Sequence, residues 1–208
     1  EGGYGCQRSG SVTSMDYNNW YAPNGQNTSG FTQGANSINV DPLYKSDDDL
    51  HASSALMYRE GTPIAGITDD RDGKVRSATV PTMGADEYYV PDYDAGVTEF
   101  AGGALCTGSQ AVEVEVSNLG YIDMTSFNVH WSWSVNGGTP TAGTTLNVSS
   151  SNIGKGADTV VTLGNITLNS GSTYTIVAYT TSPSGQTDQR MSNDTLTFDL
   201  RPAMTGTY

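Results

Sequence analysis

The sequence predicts an all-β chain in two parts. Stacked, irregular coils are expected over residues 1–91 and an immunoglobulin- or fibronectin-like sandwich over residues 92–203. Three observations carry this. "AVEVEVS" and "FNVHWSWSV" alternate apolar and polar residues strictly, the period of a half-buried strand. No strong helix is seen, because long segments lack the 3.6-residue period and Gly or Pro interrupts most windows. Gly, Asn, Asp, Ser or Pro breaks the chain every few residues, as turns require.

The second part reads most clearly. Val112, Val114 and Val116 share one face, against Glu113 and Glu115 on the other. Phe127, Val129, Trp131, Trp133 and Val135 share a face, opposite Asn128, His130, Ser132 and Ser134. "TTLNVS", "DTVVTL", "STYTIVAYTT" and "DTLTFDL" supply further strands, separated by the turn signals "VNGGTP", "NSGS" and "SPSGQ". Several short antiparallel strands in this length suit a sandwich. Trp131 and Trp133 lie on the Val129 face, so they read as core rather than as a sugar platform. His130 points the other way and reads as a solvated side chain.

The first part is less regular. "SVTSMDYNNWY", "NSINVDPLY" and "DLHASSALM" are short β-like pieces between turn clusters. Short strands with asparagine at tight corners suit a solenoid of stacked coils. "YYVPDYDAG" reads as a short, proline-stiffened linker.

Composition narrows the function. Nine basic against 22 acidic residues give a formal net charge of −13. That balance excludes the basic face that nucleic acid needs and disfavours anionic membranes. No apolar run approaches the ~20 residues of a membrane-spanning helix. Few charges and abundant Ser, Thr, Asn and Gly fit a secreted β-protein, and the expected location is extracellular or at the cell surface. The first residue, Glu1, suggests a processed product or a piece of a longer chain. Cys6 and Cys106 are too few to staple the fold. They could pair with each other, pair outside this segment, or remain free thiols.

A family resemblance enters through residues 15–90. Asp41-Pro42-Leu43, Asp49-Leu50-His51, the turn at 62–66, the "DRDGKVR" loop at 70–76 and "GADEY" at 84–88 follow one another. This combination resembles the last coils of secreted right-handed parallel β-helix proteins of Bacteroidota, exported by the type IX route. The stretch around "LCTGSQAVEVEVSNLGYIDMTSFNVHWSWSVNG" is similar to the immunoglobulin-like module that follows such helices. "MTGTY", residues 204–208, looks like the start of another unit. The resemblance implies terminal β-helix coils with their cap, then a sandwich, in a tandem array. Partners would be neighbouring repeats, identical chains or surface glycans.

The acidic stretch at residues 68–89 admits three readings. Asp47, Asp48 and Asp49, with Asp69, Asp70 and Asp72, are candidate calcium ligands, since calcium takes six to eight oxygens. Yet Thr68 and Thr79 occupy the first and last ligand positions of an EF-hand register, and Arg71 and Lys74 sit inside the loop. Catalysis is disfavoured, because adjacent Asp86 and Glu87 point to opposite faces of a strand. The favoured reading is structural. Gly73 takes positive φ in a turn, Arg76 pairs with Asp86 or Glu87, and Gly84 with Ala85 permits close backbone approach. No cofactor is called for, calcium being the one ion the clusters suggest.

Three other features complete the candidates. Trp20 and Tyr21 could stack on glycan or cover the solenoid core. "DTV" and "DTL" resemble the Asp-Thr-aliphatic signal for O-glycosylation in Bacteroidota, which marks Thr159 and Thr195. The sequons at Asn27, Asn147, Asn165 and Asn193 matter in a eukaryotic secretory path. The expected function is therefore non-catalytic: a structural, adhesive segment of a large extracellular repeat protein. The alternatives are an ancillary module of a polysaccharide-degrading β-helix enzyme and a carbohydrate-binding module.

Overall fold

The computed structural model describes residues 4–7, 15–24, 26–103 and 105–202. The anticipated start of a further unit at residues 204–208 lies outside them. The chain divides into two compact units, Glu1–Val90 and Pro91–Tyr208. The regular elements described are strands, apart from one 3-10 turn at Pro183–Gly185.

In the first unit β1 (Tyr4–Gln7) and β2 (Gln26–Ser29) pair in parallel, Tyr4 opposite Gln26. A parallel bridge joins Asn19 to Ile38. The rest of the unit is turns and bends held by side chains. Asp16 accepts the Asn36 N–H and Nδ2–H, and the Asn19 amide both donates to the Val40 carbonyl and accepts its N–H. Asparagine and aspartate side chains stand in for backbone partners here, which is why so few residues form regular strands. The β-helix expected from the sequence is therefore not laid out as a continuous sheet among the described residues. Met57, Tyr58, Met83 and Val90 are buried, while Leu43, Leu50, Ile64, Ile67 and Val75 are more than half exposed.

The second unit is a sandwich of two antiparallel sheets. One holds β3 (Ala95–Phe100), β4 (Gly108–Asn118) and β8 (Asp158–Leu168), in the order β3-β4-β8. In the other, β10 (Thr195–Leu200) pairs with β9 (Tyr174–Thr181), which pairs with β5 (Met124–Val135). The far side of β5 carries β6 (Thr141–Ala142) and β7 (Leu146–Ile153). First, second and fifth long strands on one sheet, the others on its partner, is an immunoglobulin-type connectivity with the fourth strand on the second sheet.

Alternation dictates what lies inside. Val112, Val114, Val116, Val129, Ile176 and Ala178 are fully buried, and Phe127 is 1% exposed. Each buried Val, Ile or Phe side chain contributes about 1.5–3 kcal/mol over its exposed state. Trp131 is buried, Trp133 packs half-buried against the same cluster, and the two rings stack at 5.0 Å. The alternating face of β5 leaves the core at Val135, which is 39% exposed.

Two polar anchors close the loops. Buried Asn118 donates to the Ile122 and Ile153 carbonyls and accepts the Gly120 N–H, so all its groups are used. The Tyr174 hydroxyl accepts the Asn169 N–H at 2.8 Å and pins the turn into β9. His130, expected to be solvated, is instead half-buried. Its ring nitrogens meet the Thr181 and Thr145 hydroxyls, and it stacks on Tyr179 at 5.0 Å. A neighbouring strand on each side of β5 gives its outer face partners.

Candidate functional site

The acidic stretch folds as a turn in which Asp70 and Glu87 accept backbone N–H groups. Asp69 and Val75 face each other across an antiparallel bridge. Asp70 lies within the turn: Oδ1 accepts the Asp72 and Lys74 N–H groups and Oδ2 accepts that of Glu87. Burial alone would raise the Asp70 pKa, but these three N–H groups together hold it down at about 2. Gly73 has φ +80°, the left-handed conformation a turn demands there.

Arg76 donates from Nη2 to the Thr82 carbonyl at 2.7 Å and stands 3.8 Å from Glu87 Oε2. The Glu87 carboxylate in turn accepts the Thr82 N–H. Asp86 takes Lys74 at 3.3 Å. Arg76 thus pairs with Glu87 and Lys74 with Asp86, where the sequence left the partner open. The close approach expected at Gly84 and Ala85 occurs instead at Gly61, where an added Cβ would lie 2.8 Å from the Pro81 carbonyl oxygen. Gly84 is needed for its φ of +103°, since an added Cβ there would meet ordinary contact at 3.6 Å.

The six candidate calcium ligands do not converge. Asp47 and Asp48 are exposed, as is Asp69, and Asp70 is spent on the backbone. Asp49 and Asp72 meet at a residue the sequence reading left out, His51. Its Nδ1 contacts Asp49 Oδ1 and its Nε2 lies 2.7 Å from Asp72 Oδ2. The hydrogen bond to Asp49, then that to Asp72, raises the His51 pKa, and His51 holds Asp49 well below the ordinary carboxylate range. His51, Asp72 and Asp86 offer ligand-type atoms within 4.8 Å of one another. Both ring nitrogens of His51 are engaged by carboxylates. The contacts clasp residues 49–51 to the acidic turn.

Trp20 and Tyr21 line a cleft of about 530 Å³ together with Tyr17, Tyr44 and Met57. Both are half-buried; Trp20 packs edge-on to Phe31 at 5.5 Å, and the Tyr21 hydroxyl donates to Asp41. The Trp20 Nε1–H is buried without a partner. Thr195 is exposed and Thr159 half-buried. Cys106 is exposed and free, and the Cys6 side chain lies outside what is described. In the second unit, Asp94, Asp188 and Asp194 come together, a set the sequence reading did not assemble.

No family model matches the chain, and no curated protein matches it. Among solved structures it is similar to the CARDB domain of a Pyrococcus furiosus protein in complex with di-metal ions. The identity there is 24% over 56% of this chain and 91% of that one, with a TM-score of 0.38. It is similar also to a domain of a Methanosarcina acetivorans protein described as a cell-surface protein. There the identity is 22% over 56% of this chain and 96% of that one, with a TM-score of 0.42. A third similarity is to part of a β-galactosidase of Bacteroides fragilis, at 15% identity over 51% of this chain and 16% of that one, with a TM-score of 0.26. Scores this low carry neither ligand nor activity to this chain.

Proposed function

We propose that the chain is a non-catalytic, structural and adhesive segment of a large extracellular protein, in which terminal solenoid coils precede an immunoglobulin-like module. One observation carries the reading. Several polar contacts of the first unit span 19 to 21 residues: Asn18 with Ser37 at 19, Asp16 with Asn36 and Tyr21 with Asp41 at 20, Asn19 with Val40 and His51 with Asp72 at 21. Such a spacing is what stacked coils of about 20 residues produce. The parallel pairing of β1 with β2 has the same sense. Most carboxylates of the acidic stretch serve its turns and clasps, which suits an element that must hold its shape under tension.

The test is surface labelling of intact source cells with an antibody against this segment, followed by protease shaving. Labelling without permeabilisation, lost on shaving, is expected; labelling that requires permeabilised cells overturns the proposal. A second reading, glycan binding, is favoured by the aromatic cleft of Trp20 and Tyr21 with its unpartnered indole N–H. Glycan-array binding lost in Trp20→Ala would support it, and an array without any hit would remove it.

A further inference from the structure

Three carboxylates meet at one end of the sandwich. Asp94 immediately precedes β3, Asp194 immediately precedes β10, and Asp188 lies in the connection between β9 and β10. They are 1%, 6% and 7% exposed for Asp94, Asp194 and Asp188 respectively. Each offers an oxygen within 4.8 Å of the other two. Like charges so close and so dry repel strongly unless something neutralises them. Arg190 Nε stands 3.8 Å from Asp94, but its side chain is 45% exposed, and one guanidinium does not balance three carboxylates.

The hydrogen-bond inventory is uneven. Asp188 accepts the Ala95 and Arg190 N–H groups, both at 2.9 Å. Asp94 accepts from Asn193 Nδ2 at 3.0 Å. Asp194 Oδ1 is buried with no partner, and so is Asn193 Oδ1. A carboxylate oxygen withdrawn from water and given nothing in return calls for a neutralising partner, and a cation is one that fits. The group is also reachable. Asp188 and Asp194 line a cavity of about 330 Å³ together with Thr181, Ser182, Gln186 and Met191.

The frame around the carboxylates is tight. An added Cβ at Gly96 would fall 2.7 Å from the Asn193 carbonyl oxygen, so β3 and the start of β10 pack backbone to backbone. The Asp194 carbonyl accepts the Val97 and Thr180 N–H groups. Such support holds first-contact groups in place before a ligand arrives.

We propose that Asp94, Asp188 and Asp194 form a binding site for a hard divalent cation, calcium fitting best, reached through this cavity. The donors are all oxygen, which disfavours the softer metals that prefer thiolate or imidazole. Calcium tolerates irregular, carboxylate-rich shells, whereas magnesium demands near-ideal octahedra. A bound ion would tie the first strand of the sandwich to its last.

The experiment uses the whole chain, stripped with chelator and titrated with calcium by calorimetry and thermal unfolding. Extracellular calcium modules bind at about 10⁻⁴–10⁻³ M. At ~10 mM calcium the melting of the second unit is then expected to rise by on the order of 5–10 °C over chelator. Asp194→Asn keeps the shape, removes the charge, and is expected to abolish the shift, while Asp72→Asn in the first unit leaves it intact. Absence of binding in the wild type overturns the proposal, as does a shift that survives in Asp194→Asn. Should that variant not fold, amide exchange of the wild type decides. Calcium-induced protection at residues 186–195 supports the site, and protection confined to the first unit overturns it.

Discussion

Arg76 reaches the Thr82 carbonyl at 2.7 Å while Thr82 gives its own N–H to Glu87, so one guanidinium and one carboxylate clamp both sides of a single residue. The Arg76 and Glu87 side chains are 13% and 15% exposed, so water screens neither well. Arg76→Ala strands the Thr82 carbonyl and the Glu87 carboxylate together. A loss of about 1.5–3 kcal/mol from the first unit is expected, the usual cost of a charge-assisted bond. Urea unfolding, followed by amide exchange over residues 68–90, measures it. Arg76→Lys should recover only part, because an ammonium lacks the planar fork. Unchanged exchange in Arg76→Ala would refute the clamp.

His51 carries a pH dependence of definite sign. Its folded pKa is raised by the Asp49 and Asp72 hydrogen bonds. The stabilisation is therefore complete below the unfolded value of about 6.5 and is lost as pH rises through the folded value. The first unit should be more stable at pH 6 than at pH 8, and His51→Gln should flatten that difference. Paired melts at the two pH values, wild type against variant, decide the point. An equal slope in both would dismiss the clasp.

The two patterned strands, β4 and β5, were legible because a period of two with one buried face leaves a single register that turns the apolar side chains toward the core. Their core residues, from Val112 to Trp131, follow directly. The acidic stretch was legible as a turn through Gly73, but not in its pairing. Arg76 could reach Asp86 or Glu87 by sequence alone, and only the fold of residues 80–88 brings Glu87 to it. His51 was missed because its partner Asp72 lies 21 residues on, beyond the reach of any local pattern. Asp94 and Asp194 lie 100 residues apart in number, and only the docking of β3 beside the start of β10 joins them. Taken locally, "DTL" marks Thr195 as a modification signal, and nothing in those three residues reveals that Asp194 is buried.

Trp131 lies against two glycines. A Cβ on Gly143 would fall 2.1 Å from its ring, and one on Gly164 would fall 2.9 Å from it. The indole also donates from Nε1 to the Thr144 carbonyl at 3.1 Å. Gly143→Ala forces either the ring or β6 to move, and overpacking of this kind costs about 1–3 kcal/mol. The expected result is a lower urea midpoint for the second unit with a red-shifted tryptophan emission. Trp20→Phe in the background removes the first unit's tryptophan, so that only Trp131 and Trp133 report. A midpoint equal to that of the parent would show that the ring has room to yield.

Asp194 gives the second unit a pH slope of its own when chelator is present. Burial, then the charges of Asp188 and Asp94, push its pKa up to about 6, and burial raises Asp94 as well. A raised acid is protonated in the native state where the unfolded chain has already lost the proton. Its contribution is therefore most favourable below about pH 4, declines as pH rises to about 6, and stays low above that. In chelator the second unit should gain stability between pH 7 and pH 4.5, the reverse of ordinary acid destabilisation. Asp194→Asn should be more stable than wild type at pH 7 and lose most of the slope. Saturating calcium should flatten the wild-type slope too, since the ion takes over the neutralisation that the proton performs. Urea midpoints at the two pH values, in chelator and in calcium, test all three statements. A wild-type midpoint that falls on acidification in chelator would show that the three carboxylates are ionised together in the native fold.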